Sequence, residues 1–171
     1  MAPEADETAQ PGERAAALVA RLARTKAAAV AQRHPQAWII GSDQAAVLVA
    51  DTGEELTLGK PATEAHCIEQ LQRCSGRAVS FLTAVALMRQ DGNALFEFVD
   101  TTRVMFRALD QAAIRRYVVR EKPLDCAGGF KSEGLGIALC ESIDSTDPSA
   151  LIGLPLIRLS ALLRGAGFEL P

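Results

Sequence analysis

Ala37-Trp38-Ile39-Ile40-Gly41-Ser42-Asp43-Gln44 is the stretch on which the fold turns. An apolar run, closed in front by Pro35 and behind by Gly41-Ser42, reads as a short buried strand over 37–41. An acid follows at once. Asp43 would then stand just outside the carboxyl end of a strand, which is where α/β folds place their ligands. A carboxylate there could hold a divalent ion or activate water. An acid capping a turn between two strands fits the same position equally well.

Upstream of this stretch, Glu13 to Arg33 is rich in Ala, Leu and Arg and has neither Gly nor Pro, so it reads as a long helix that Pro35 ends. Downstream, Ala45 to Ala50 reads as a second strand. Asp51-Thr52-Gly53 is a turn, and Glu55 to Leu58 returns. Thr63 caps a helix to about Cys74, closed by Ser75-Gly76. Arg77 to Arg89 and Ala94 to Leu109 are β-rich and flank Asp91-Gly92-Asn93, the pattern of a long antiparallel hairpin. Asp110 caps a helix to about Arg120. The glycine-rich segment Gly128 to Gly136 is a loop, and a short strand is expected around Ile137–Cys140. Gly153-Leu154-Pro155 opens a last helix to Arg164. Helices alternating with strands around a central hairpin predict an α/β fold with a mixed sheet, built as one domain over residues 1–171, with or without two lobes.

Composition narrows the function. The chain has 171 residues, 49% hydrophobic and 23% charged, which is enough apolar surface to build a core. Its net charge of −3 argues against a sequence-independent nucleic-acid binder, though not against a small anionic substrate. The four cysteines (Cys67, Cys74, Cys126, Cys140) form no C-x-x-C pair and there are two histidines, so a zinc site is not expected. Met1 to Gln10 is acidic and polar and does not read as a signal peptide. No apolar run approaches the ~18 residues of a membrane span. A cytoplasmic protein with reduced cysteines is expected.

Three further constellations carry chemistry. In Gly59-Lys60-Pro61 a lysine is held on a tight loop, and its ammonium suits phosphate oxygens; a solvated turn lysine is the simpler alternative. In Phe130-Lys131-Ser132-Glu133-Gly134, set among glycines, Glu133 could accept from the donor edge of a guanine-type base; an ordinary acid in a surface loop explains it as well. Asp6-Glu7 and Lys26 read, taken alone, as solvated acids and a helix-surface cation.

Together these pieces resemble something known. The ordered set A-P-E-x-D-E-T (2–8), R-L-A-x-x-K-A (21–27), I-I-G-S-D-Q (39–44), G-K-P (59–61), C-A-G-x-F-K-S-E-G-x-G-I (126–137) and G-L-P-L (153–156) is similar to the Maf family of nucleotide pyrophosphatases over nearly the whole chain. The resemblance implies a Maf- and ITPase-like elongated mixed sheet with flanking helices. It implies an enzyme that splits a nucleoside triphosphate into the monophosphate and pyrophosphate by in-line attack of water on the α-phosphorus. Asp43-Gln44 with Ser132-Glu133-Gly134 looks like the branch acting on 7-methyl-GTP. By that likeness Asp43 is the proton acceptor, Gln44 and Glu133 set base selectivity, and Lys26 and Lys60 neutralise the phosphates. Asp43 and Glu7 would hold a divalent cation, Mg or Mn, and the protein would form a homodimer with no nucleic-acid or membrane partner. Two other readings stay open: a dTTP- or UTP-type pyrophosphatase, and a catalytically impaired nucleotide-binding protein linked to cell division.

The likeness also implies a departure. Family members begin with a strand and a Ser-x-Ser-Pro-x-Arg-Arg phosphate-binding loop, and Met1 here falls where they are already past it. The expectation is a start codon upstream and, for the chain as it stands, little or no pyrophosphatase activity, because the phosphate site would lack those arginines and loop amides.

Overall fold

Seventeen residues from Ala15 to Ala31 carry no helix breaker and place Ala15, Leu18, Val19, Leu22, Ala23, Ala27 and Ala31 on one buried stripe, which is why they form α1 (Ala15–Ala31). The structure, a computed structural model, describes residues 7–91 and 93–171. After α1 come β1 (Ile39–Val49), β2 (Glu55–Leu58), α2 (Glu64–Cys74), β3 (Ala78–Arg89), β4 (Ala94–Phe106), α3 (Gln111–Glu121), β5 (Cys140–Asp144) and α4 (Leu156–Gly165). Short 3₁₀ turns lie at Ala127–Gly129, Leu135–Leu139 and Ala150–Ile152.

The strands make one five-stranded sheet in the order β2-β1-β3-β4-β5. β1 and β2 pair antiparallel from Ala46↔Leu58 to Val49↔Glu55, and β4 and β5 pair antiparallel as well. The β3–β4 connection is too short for a parallel crossover. Rising numbers in β1 meet falling numbers in β3, since Ser42 reaches Ala84 and Gln44 reaches Thr83. The α/β class and the central hairpin are as expected, but the strand directions are antiparallel where a mixed sheet was anticipated.

Two further expectations change. The apolar run 37–41 and the run 45–50 are one strand, β1, unbroken at Gly41-Ser42. Gly41 is there for closeness rather than for a turn: a Cβ on it would lie 2.2 Å from the Ala23 carbonyl oxygen and 2.8 Å from the Ala27 nitrogen, so the strand runs directly against α1. The strand expected at 137–140 begins at Cys140 instead. Leu135–Leu139 is a 3₁₀ turn; at its start Gly136 donates its N–H to the Lys131 carbonyl and packs so near it that a Cβ would sit 2.3 Å from that oxygen. β5 is an edge strand with four of its five residues exposed, so no apolar alternation announces it.

The helix ends follow their caps. Thr63 accepts from the His66 N–H, and Asp110 accepts from the Ala113 N–H at 2.6 Å. Lys122, in the left-handed region at φ 50°, ends α3. At the entrance to α1, Glu13 receives both Arg21 Nε and Nη2 at 2.8 Å and the Gln10 N–H at 3.0 Å. Arg21 first, then the Gln10 amide, hold the Glu13 carboxyl down from 4.5 to about 2. A folded-state pKa below the unfolded one means that this contribution is present above pH 4.5 and is lost as pH falls towards about 2. The gap in thermal midpoint between the wild type and Glu13→Gln, present at pH 7, is therefore expected to close over that window, as circular dichroism melts would record.

The chain divides into two compact units: Met1–Gln44 with Leu82–Asp100 and Asp147–Pro171, and Ala45–Phe81 with Thr101–Thr146. In the first, Val85, Phe98 and Leu159 make a buried cluster flanked by Leu154, Leu162 and Leu163. In the second, Phe130 packs tilted against Phe81 and edge-on to Phe106, with ring centroids 5.5 and 5.1 Å away.

Candidate active site

β1 sends alternate side chains to opposite faces, and the partners show which is which. Gly41 and Asp43 face α1; Ser42 and Gln44 face the 150–153 segment. Lys26 lies on the α1 face that carries Ala23 and Ala27. Its Nζ meets Asp43 Oδ1 at 2.5 Å and Glu7 Oε1 at 2.8 Å. The Lys26 and Asp43 side chains are 19% and 13% exposed, whereas Glu7 is 48% exposed, so the inner pair is shielded and the outer one wet. Burial pulls the Lys26 pKa down, but the hydrogen bonds to Asp43 and then Glu7 outweigh it, and the net direction is up. The ammonium stays charged across the physiological range. Asp43, Glu7 and Lys26 thus form one triad. Asp6 and the other residues of the 2–6 stretch lie outside the described residues.

Gln44 is turned away from Asp43. Its amide nitrogen donates to Thr83 Oγ1 at 2.9 Å and to the carbonyls of Ala150 and Leu151 at 3.1 and 3.2 Å. Carbonyl oxygens only accept, so the amide is fixed with its nitrogen towards them. Thr83, 1% exposed, donates a hydrogen bond from its hydroxyl to the Ala150 carbonyl. Ser42 Oγ contacts the Ala84 and Gly153 carbonyls at 2.9 and 2.7 Å. Ser42 and Gln44 therefore pin β1 on either side of Asp43. Just beyond the segment they grip, Asp147 and Ser149 accept the first N–H groups of α4 at Ile157 and Leu156.

Lys60 and Glu133 belong to the second unit. Lys60 is exposed on a fastened loop. The Gly59 carbonyl accepts from the Gly128 N–H and from Gln70 Nε2, both at 3.2 Å, and the Ala62 N–H donates to Leu124. Glu133 is exposed at the tip of a loop held from below. Tyr117 Oη donates to the Gly129 carbonyl and accepts the Lys131 N–H; Glu121 accepts the Leu135 N–H at 2.7 Å and pairs with Lys131 Nζ at 3.2 Å. The Leu135 N–H first, then Lys131, lower the Glu121 pKa. Glu121 escapes a sequence reading aimed at catalytic groups. It did leave one sign: an acid in the last turn of a helix opposes the macrodipole and implies a local task.

The four free thiols are held from the reactive thiolate form: burial pushes Cys67 and Cys126 up to about 11, Cys74 to about 12, and Cys140 in the same direction. Among the described residues no three His, Cys, Asp or Glu side chains cluster as a metal site, and no helix is long and apolar enough to cross a membrane.

An α/β chain with a paired carboxylate on the central sheet and lysine- and glutamate-bearing loops elsewhere has the makings of a small-anion hydrolase. Comparison with known proteins gives the family. The model for Maf-like proteins matches residues 1–166, and the chain belongs to the Maf family. It is 54% identical over 169 residues to a protein of Xanthomonas oryzae pv. oryzae named 7-methyl-GTP pyrophosphatase, an alignment covering 99% of this chain and 85% of that one. A protein of the same name from Alkalilimnicola ehrlichii is 53% identical over 98% of this chain and 81% of its own length. One from Pseudomonas aeruginosa is 47% identical over 99% and 85%.

Proposed function

We propose that this chain is a nucleoside triphosphate pyrophosphatase that hydrolyses 7-methyl-GTP to the monophosphate and pyrophosphate. The observation that carries the reading is the 47–54% identity, over 98–99% of the chain, to proteins bearing that name. The triad geometry supports the chemistry. Water attacks the α-phosphorus, the bond to the oxygen bridging the α- and β-phosphorus breaks, and the water proton passes to the Asp43 carboxylate. Lys26 sets the orientation of that carboxylate through their 2.5 Å contact. Lys60 neutralises charge growing on the departing pyrophosphate.

A divalent cation fits this donor set. Asp43 and Glu7 already converge on one cationic position, now taken by the Lys26 ammonium. Mg²⁺ is commonly held by one or two carboxylates with the remaining positions filled by substrate phosphates and water. When bound, such an ion would add charge neutralisation at the phosphates. The cysteines, free rather than paired, agree with a cytoplasmic setting.

Glu133 is the proposed base reader. A 7-methylguanine base carries positive charge at neutral pH, so a facing carboxylate gains attraction as well as hydrogen bonds. Gln44, whose amide nitrogen is occupied at the 150–151 carbonyls, would bear on selectivity through where it holds β1. Glu133→Gln is expected to cut the preference for 7-methyl-GTP over pyrimidine triphosphates by about 10- to 100-fold, the worth of one good base contact. A panel of triphosphates read by pyrophosphate release tests both statements. A wild type that prefers dTTP or UTP would move the chain to the pyrimidine reading.

A further inference from the structure

Gln70 is 5% exposed in α2, and its Nε2 donates to the Gly59 carbonyl, one residue before Lys60. One turn earlier on the same helix, His66 Nδ1 lies 3.1 Å from the Pro61 carbonyl, one residue after Lys60. Positions i and i+4 of one helix face thus grip the carbonyls on both sides of the lysine. The Gly59 carbonyl also accepts the Gly128 N–H, so the grip extends to the segment that leads to Glu133.

The orientation of Gln70 follows from its partner. A carbonyl cannot donate, so the amide nitrogen must face Gly59. Oε1 then points into the interior, where it is buried with no hydrogen-bond partner among the described residues. A buried acceptor left without a partner costs stability, and an apolar side chain of the same shape would avoid that cost. A residue that keeps such an atom is expected to be retained for something other than stability.

We propose that Gln70 is a positioning residue for Lys60, holding the 59–61 loop in the geometry that presents the ammonium to the phosphates. This rests on the role proposed above for Lys60. Gln70 touches no substrate; it acts through the Gly59 carbonyl.

The test compares Gln70→Met, which keeps length and removes the donor, with the wild type, each with Lys60 present and with Lys60→Ala. With Lys60 present, kcat for the preferred triphosphate is expected to fall about tenfold, the effect of one hydrogen bond, with KM little changed. The thermal midpoint should not fall, and amide exchange at Gly128 should quicken. In the Lys60→Ala background Gln70→Met should do nothing more to kcat. Gln70→Leu, close in size and without any hydrogen-bonding group, should repeat the loss and serves if Met disturbs the helix packing. An equal loss of kcat with and without Lys60, or unchanged kcat with Gly128 still protected, would overturn the proposal. Inactivity of the wild type would sink the proposed function alone, and the exchange comparison would still decide whether Gln70 holds the loop.

Discussion

Asp43→Asn is expected to lower kcat by about 10²- to 10⁴-fold with every triphosphate, the range that a lost general base commands. Asparagine has the size of aspartate and still offers an oxygen to Lys26, so the fold should survive. Glu7 remains as the second partner of that ammonium. In the proposed role, what disappears is the charge that takes up the water proton, and a loss of this size corresponds to about 3–5 kcal/mol of transition-state stabilisation. The loss should be uniform across bases, because that role places Asp43 at the phosphate end of the substrate. Glu133→Gln should do the reverse, shifting the ranking of bases with turnover preserved for the neutral ones. Steady-state pyrophosphate release separates the two patterns, and near-wild-type kcat in Asp43→Asn would remove this residue from the chemistry.

The second large effect is structural. Gly41→Ala would bring a methyl group to 2.2 Å from the Ala23 carbonyl oxygen, 2.8 Å from the Ala27 nitrogen and 2.9 Å from the Ala27 Cβ. Two of these are backbone atoms of a helix whose other buried residues are already packed, so no side chain can swing aside. Helix and strand must separate. A cost of about 3 kcal/mol or more is expected, at the upper end of overpacking. For a chain of this length that means roughly 6–12 °C in thermal midpoint. The same shift would pull Asp43, two residues along, away from Lys26, so activity should fall even in the molecules that fold. A differential-scanning melt within 1 °C or so of the wild type, a shift worth less than about 0.5 kcal/mol, would mean that α1 and β1 do not touch as described.

These cases show what was legible in the residues and what was not. The four α-helices of the described residues could be read, because each announces itself locally: Thr63 and Asp110 as caps, Pro155 before α4, and an alanine–leucine stripe in α1. Asp43 stands inside β1 rather than beyond the carboxyl end of a strand, so the apolar run before it pointed to the wrong setting. Its union with Lys26 and Glu7 was implied only by the resemblance; the residues alone could not give it, because it depends on how tightly α1 lies on β1, a distance set by Gly41 and the alanines opposite. Gly41 itself misled, since a glycine before serine looks like a chain break until the helix it presses on is known. β5 was displaced because an exposed edge strand has no buried face to pattern. Gln44, expected by likeness to set base selectivity, has its amide committed to Thr83 and to two carbonyls more than a hundred positions away in sequence, which no local pattern announces.

The Lys26 ammonium, lodged between two carboxylates, also bears on how the resting protein behaves. Two acids brought together without it would repel one another and drive the more exposed Glu7 carboxylate away from Asp43. With Lys26 between them, the two carboxylates are balanced by a charge that belongs to the chain itself. Under the proposed function, a divalent cation arriving at these acids would exchange with that resident ammonium rather than fill an unbalanced position.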